Sequence, residues 1–375
     1  MAQAPVKEGL EDIVALQSTI CFIDGKEGRL LYHGYDITDL VENSNFEETT
    51  YLLWHGKLPT ADELERHNAF LQQNRALPEA LLEHLKLVPK TATPMEVLRS
   101  AVSLLSAYDS DATSEDPSVR QQVAARLTAQ MPTIVAAYHR IRQGLEPIAP
   151  RSDLSLAANF LYMLSGNEPE PIFVQAFDAA LIMHADHELN ASTFAARVTA
   201  ATLSDMYSAV TAAIGALKGR LHGGANEQVM RMLIEIDTIE NAEPWLRERL
   251  ARKEKIMGFG HRVYKTEDPR AAILRRFSRE LGELTNQTKW YEISRRLEDL
   301  MLSEKGIYPN VDFYSASSYH CMGIPTDLYT PIFACSRVSG WTAHILEQYA
   351  NNRLIRPRAQ YIGPSLRRYV PVDQR

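Results

Sequence analysis

Gly258-Phe259-Gly260-His261-Arg262-Val263-Tyr264-Lys265, followed at once by Thr266-Glu267-Asp268-Pro269-Arg270, packs four chemical capabilities into one short segment. Two glycines let backbone approach a ligand closely. One histidine can donate a proton near neutral pH. Arg262 and Lys265 offer charge to phosphates, and Arg270 offers a planar fork to a carboxylate. Gly258-x-Gly260 is not a dinucleotide fingerprint, because Val263 stands where the third glycine would be. The segment also lacks the ending of a phosphate-binding loop.

Outward from this segment the chain reads as helical. Residues 226–302 are strongly charged and amphipathic, with helices expected near 227–239, 244–255, 269–284 and 289–303. Glycine-rich Gly219-Arg220-Leu221-His222-Gly223-Gly224 breaks the pattern upstream, as a helix C-cap followed by a new start. Cys321-Met322-Gly323-Ile324-Pro325 breaks it downstream. The expected organisation is a large domain over 1–223, a small helical domain over 224–322, and a return to the large domain over 323–375 through a closing helix at 331–351.

Nearer the start, Ile20-Cys21-Phe22-Ile23 and Leu30-Leu31-Tyr32 flank the turn Asp24-Gly25-Lys26-Glu27-Gly28, a small β-hairpin. Thr60-Ala61-Asp62-Glu63 and Thr93-Pro94-Met95-Glu96 are capping boxes. Behind the second, Leu98, Ala101, Val102, Leu105 and Tyr108 form one apolar helix face. Asp116-Pro117-Ser118 opens a long helix that Pro132 should end or kink. Residues 190–218, rich in alanine, serine, threonine and glycine, read as closely packed inner helices and a candidate subunit interface. The fold class is mainly α, in two domains, with a small N-terminal β-hairpin. No internal repeat or low-complexity tract is visible.

Composition narrows the function. The 375 residues are 45% hydrophobic and 23% charged, as in soluble globular proteins. A net charge of -7 argues against broad nucleic-acid binding, so any polyanion must meet a local basic cluster. Cys21, Cys321 and Cys335 are few, odd in number and outside any C-x-x-C pair, which suggests a reducing cytoplasm and no structural zinc. Met1-Ala2-Gln3-Ala4-Pro5-Val6-Lys7-Glu8 shows no signal peptide. The most apolar run, 171–184, is too short to span a membrane and is interrupted by Gln175 and Asp178.

Several residues could carry chemistry. His184 and His187 share a helix face in His184-Ala185-Asp186-His187-Glu188, either as metal ligands or as the polar end of a helix; the familiar di-iron and zinc signatures are absent. His222 would sit beside the positive end of a helix starting at Gly224-Ala225, which keeps its ring neutral and able to donate to an enolate. Its alternative is an ordinary loop histidine. Asp312, in Tyr308-Pro309-Asn310-Val311-Asp312-Phe313-Tyr314-Ser315, has apolar and aromatic neighbours that raise a carboxylate's basicity, though an isolated aspartate is more often a cap or turn residue. Arg270, Arg337 and Arg356 stand in distinctive contexts. Arg337 lies in an apolar helix that should bury it, so it needs an anionic partner, either a substrate or an internal carboxylate.

Together these segments resemble citrate synthase. The resemblance runs from Gly9-Leu10-Glu11-Asp12 to Arg356-Pro357-Arg358-Ala359 and rests on four motifs in the family's order: Asp186-His187-Glu188, Leu221-His222-Gly223, residues 258–270, and Pro309-Asn310-Val311-Asp312. It implies an almost all-helical homodimer that condenses acetyl-CoA with oxaloacetate and hydrolyses citryl-CoA. Asp312 is similar to the base that deprotonates the acetyl methyl group. His222 is similar to the neutral donor to the enolate oxygen, and His261 to the acid at the oxaloacetate carbonyl. His187, Arg270 and Arg337 look like oxaloacetate ligands, and Arg356 like the arginine supplied by the partner subunit. Gly258, Phe259, Gly260, Arg262 and Lys265 occupy positions that face CoA in related sequences. The resemblance calls for no metal and no cofactor beyond the CoA thioester substrate. The early hairpin suggests no N-terminal region of the kind found in NADH-regulated relatives.

The nearest rival is 2-methylcitrate synthase, which acts on propionyl-CoA with the same catalytic residues. One methylene is worth only about 1–3 kcal/mol in an apolar pocket. Tyr264-Lys265-Thr266 looks closer to the citrate enzymes. From other classes, a helical metalloprotein using His184, His187 and Glu188, or a non-catalytic interaction protein, would be distinguished by stoichiometric metal or by absence of oxaloacetate-dependent CoA release.

Overall fold

A computed structural model describes residues 6–10 and 13–375. Met1–Pro5, read above for a targeting signal, and Glu11-Asp12, at the start of the family resemblance, lie outside the described residues. The hairpin forms as read, with strands β1 (Cys21–Asp24) and β2 (Arg29–Tyr32) antiparallel in the register Cys21↔Tyr32. A short third strand, β3 (Tyr35–Asp36), adds to β2. It follows His33 and Gly34, both at positive φ, a tight reversal the sequence reading did not resolve. Leu30 and Tyr32, two apart on β2, turn to the core, while Phe22 faces outward.

Everything else with regular structure among the described residues is helical, with sixteen α-helices. Both capping boxes close reciprocally. Behind the second, Leu98, Ala101, Val102 and Leu105 are buried. Tyr108 is exposed instead, because the chain tightens into a 3-10 turn over Ser106–Tyr108 and leaves the helix register.

One proline expectation narrows and another needs correction. The helix Pro117–Arg142 does not end at Pro132 but runs through it. Leu127, Met131, Ile134, Val135 and Tyr138 are buried on either side. Burying even two such side chains, at about 1.5–3 kcal/mol each, matches or exceeds the proline penalty of about 3 kcal/mol. Pro244 was expected to start a helix, yet it lies inside Ile239–Ala251. Glu240, whose carbonyl loses its partner there, is exposed, so solvent can replace the missing bond.

The small-residue region becomes two helices packed on one another, Ala191–Ala200 and Met206–Lys218. Ala196, Ala200, Ala209 and Ala213 lie fully buried within them. The closing helix, Tyr329–Ala350, crosses the middle of the core with Trp341 fully buried and packs on both of these as well as on Pro171–His184. The helix Pro269–Leu284 begins and ends as read, and it packs with Val311–Cys321 and Thr288–Lys305. Residues 351–375 carry no α-helix, and most of their side chains are exposed.

Candidate active site

Four helix ends, one loop and the middle of the closing helix converge on a cavity of ≈ 970 Å³ lined by His187, His222, His261, Arg270, Asp312 and Arg337. Residues 187 and 337 lie 150 positions apart in the sequence, and packing alone unites them.

His187 follows the end of Pro171–His184, so the two histidines do not share a helix face. The turn between them is held hard. The Asp186 carboxylate is fully buried, 3.2 Å from His344 Nε2, and accepts from the Glu188 amide at 3.1 Å. Gly340 lets the closing helix approach, since a Cβ there would lie closer than 3.0 Å to Ala185 and Asp186 atoms. His187 Nε2 is buried without a hydrogen-bond partner among the described residues. Its ring meets His261 edge-on at 5.1 Å. Burial, then Arg270, holds its pKa well below the usual range. A neutral buried imidazole with an unused nitrogen beside cations is suited to an anionic or carbonyl ligand.

His222 sits two residues ahead of Gly224, the N-cap of Ala225–Ile236, as the sequence suggested. Its Nε2 accepts the backbone N–H of Ser192 at 3.2 Å and lies 2.8 Å from the Ser192 hydroxyl. That N–H belongs to the first turn of Ala191–Ala200, where helix amides have no internal partner. Because a backbone amide can only donate, Nε2 is the acceptor and the ring proton sits on Nδ1. Trp341 Nε1–H donates to the Ser192 hydroxyl at 3.1 Å and steadies the arrangement. Burial, with Arg337 adding, lowers the pKa of His222 to about 4.

His261 has the opposite tautomer. Its Nδ1 accepts the amides of Val263 at 3.0 Å and Tyr264 at 3.2 Å, which places its proton on Nε2. Burial and then Arg270 lower its pKa to about 4, against the pull of Asp268. It is therefore a neutral hydrogen-bond donor at neutral pH rather than an imidazolium acid.

Asp312 reaches the same place through a backbone zipper. Gly260 N–H donates to Tyr308 O at 2.9 Å, Asn310 N–H to Gly258 O at 2.8 Å, and Asn310 Nδ2 to Gly260 O at 3.1 Å. Asn310 also caps Val311–Cys321 by accepting the Asp312 amide. So Asp312 opens a helix alongside the segment that ends in His261. Burial raises its carboxyl to about 6, and the attraction of Arg270 and Arg337 only partly offsets this.

Two buried arginines line the cavity, and they differ. Arg270 is clamped by Asp268, with Nε–Oδ1 at 2.9 Å and Nη2–Oδ2 at 2.8 Å. Arg337 donates Nε–H to His184 O at 2.6 Å and stacks its guanidinium 4.6 Å above Phe333. It makes no ion pair with a carboxylate among the described residues, so the internal salt bridge considered above does not form within that set. Burial lowers its pKa, with Asp186 opposing. A buried cation at a cavity wall with no bonded carboxylate is a site for an anion.

The remaining sequence candidates are placed differently. Arg262 lines the cavity, and Lys265 and Gly260 are exposed. Gly258 has φ 81° and would drive a Cβ into Val229 and Phe313, and Phe259 packs 4.5 Å from Phe313; both have an architectural use. Arg356 is exposed and lines a second cavity with Arg353, Leu354 and Glu347; it is not among the residues that line the first. No group of three or more His, Cys, Asp or Glu among the described residues is arranged to hold a metal. The sequence reading missed Ser192, Asn310, Asp268 and Trp341. Asp268 and Asn310 carried a cap signal, while Ser192 and Trp341 carried none.

Comparison with known proteins agrees with this geometry. The family model "Citrate synthase, C-terminal domain" matches residues 9–358. Citrate synthase 2 of Bacillus subtilis is 58% identical over 98% of both chains. The chain belongs to the citrate synthase family. The crystal structure of citrate synthase from Pyrobaculum aerophilum superposes with a TM-score of 0.93 at 45% identity, covering 100% of this chain and 97% of that one.

A Thermoplasma acidophilum citrate synthase, solved as a ternary complex with carboxymethyl coenzyme A and oxaloacetate, also gives a TM-score of 0.93, at 36% identity over 99% of this chain and 100% of that one. The relatives also include 2-methylcitrate synthase 1 of Corynebacterium glutamicum, 42% identical over the full length of both chains. The family's helical fold and its acyltransferase class therefore hold for this chain, and the matched region contains every site residue named above.

Proposed function

We propose that this cavity condenses acetyl-CoA with oxaloacetate and then hydrolyses citryl-CoA to citrate and CoA. The observation that carries the reading is the pairing of one raised carboxylate with two neutral histidines of opposite tautomer around one cavity. Asp312 takes a methyl proton from the thioester. His222 Nδ1–H donates to the thioester oxygen as negative charge develops there, which makes removal of so weak an acid feasible. His261 Nε2–H polarises the oxaloacetate carbonyl that the enolate carbon attacks. Arg270, Arg337 and His187 hold the keto diacid, whose two carboxylates need more than one cation. Arg262 and Lys265 are the proposed contacts to CoA phosphates, with Gly258, Phe259 and Gly260 shaping that approach through the backbone. Histidine donors do the polarising, so the scheme calls for no metal or organic cofactor.

The active unit in this reading is a homodimer. Leu354, Tyr361, Ile362, Leu366 and Tyr369 stand exposed on the tail after the last long helix, an apolar surface that a second copy would cover. Arg356 on that tail is the arginine proposed to enter the partner's site. The division into 1–223 with 323–375, and 224–322, is supported by the way the helices between Ala225 and Cys321 pack mostly on one another. The reading places the protein in the cytoplasm, consistent with three free thiols. No helix among the described residues is long and apolar enough to cross a membrane.

Thiol release measured with acetyl-CoA and propionyl-CoA, each with and without oxaloacetate, tests the reaction. Oxaloacetate-dependent release with acetyl-CoA preferred is expected. A preference for propionyl-CoA would favour the methylcitrate reaction, and no oxaloacetate-dependent release from folded protein would sink both.

A further inference from the structure

The N-terminal sheet touches both walls of the cavity, and the scheme above gives it no task. On one side, the hairpin turn meets the loop that carries His261 and leads into the helix of Arg270. Lys265 N–H donates to Gly25 O at 2.8 Å. A Cβ on Gly25 would lie closer than 3.0 Å to the Val263 carbonyl, and one on Gly28 would lie 2.8 Å from Glu267 O. The hairpin does not need glycine at 25 for its own sake. The turn closes itself, with Asp24 Oδ1 accepting the amides of Lys26 at 2.9 Å and Glu27 at 3.0 Å. Gly28 has φ 65°, whereas Gly25 is not in the left-handed region. Lack of a side chain at 25 therefore answers to the loop.

On the other side, Tyr32 at the end of β2 is fully buried and holds the turn before His187. Its hydroxyl accepts the Asp186 amide at 3.1 Å and lies 2.9 Å from Asp186 O and 3.1 Å from Ile182 O. Two segments distant in sequence, whose histidine rings meet at 5.1 Å, are thus gripped by one small rigid sheet.

We propose that this sheet is a positioning brace: Gly25 and Tyr32 set the spacing between the His261 loop and the His187 turn, and so the fit of oxaloacetate. The inference rests on the assignment of His187, His261 and Arg270 to that substrate. A displacement of about 1 Å at a reacting geometry can cost on the order of 100-fold.

Gly25→Ala adds one methyl group at the contact without demanding an unusual φ. Steady-state kinetics should show KM for oxaloacetate raised by about 10-fold or more, with KM for acetyl-CoA changed by less than about twofold. Lys26→Ala, at the exposed tip of the same turn, should match wild type. Simple loss of folded enzyme would lower kcat and leave both KM values alone, so that pattern, or unchanged parameters, overturns the proposal. Should Gly25→Ala not fold, Tyr32→Phe removes the other grip without adding bulk. It should raise KM for oxaloacetate several-fold, and an unchanged value there overturns the brace. His261→Ala, run alongside, separates the two failures: near-normal turnover in that variant defeats the substrate assignment, whereas its inactivity beside a normal Gly25→Ala defeats only the brace.

Discussion

Lowering the pH from 7 to 5 should reduce kcat/KM for acetyl-CoA by about tenfold, and the structure says which group is responsible. Asp312 must be ionised to act as a base, and burial raises its carboxyl to about 6. It is then about nine-tenths ionised at pH 7, half at pH 6 and one-tenth at pH 5. His222 and His261, both lowered to about 4, remain about nine-tenths neutral even at pH 5. The acid limb therefore belongs to the aspartate, with unit slope and a midpoint near 6. Above it the profile should stay level to at least pH 8, because neutral donors lose nothing as pH rises. An imidazolium acid of ordinary pKa would instead lose activity above about 6.5. Initial rates followed by loss of thioester absorbance, at fixed ionic strength and saturating oxaloacetate, give the profile without depending on thiol colour chemistry. A limb centred near 4, or activity that falls between pH 6 and 8, would refute the assignment of neutral histidines and a raised carboxylate.

Two further outcomes are expected. Asp312→Asn should cut turnover by about 10²–10⁴-fold yet melt at higher temperature than wild type at pH 8. A carboxyl raised in the fold stabilises it only while protonated, so its ionisation above pH 6 costs up to roughly 3 kcal/mol, and the advantage of the amide should vanish below about pH 4; no such pH dependence in paired thermal melts would contradict the raised value. Arg356→Ala and Asp312→Asn, each inactive alone, should on mixing recover on the order of a quarter of wild-type activity, since half the dimers are mixed and each has one intact site of two. No recovery despite demonstrated subunit exchange would count against supply of Arg356 across the interface.

Much of the helical frame was legible because its signals are local. Capping boxes at Thr60 and Thr93, the Asp268-Pro269 start and the glycine break before Ala225 depend on residues within one turn of each other. Helix continuation through Pro132 and Pro244 was less legible, because burial or solvent, neither local, overrode a backbone preference. The site was legible as residue types in family order, but Ser192 and Trp341 were not, since a serine in an alanine-rich helix and a tryptophan in an apolar one look like packing.

What the chain alone determined was which groups are present and which helices carry them: one carboxylate among aromatics, histidines at helix ends, arginines in apolar settings. Only the folded arrangement decided their chemical states. The proton sits on Nδ1 of His222 and on Nε2 of His261 because backbone amides, 30 residues away in one case and two or three in the other, occupy the opposite nitrogens. Asp312 becomes a stronger base because distant helices exclude water from it, and burial depends on the whole molecule.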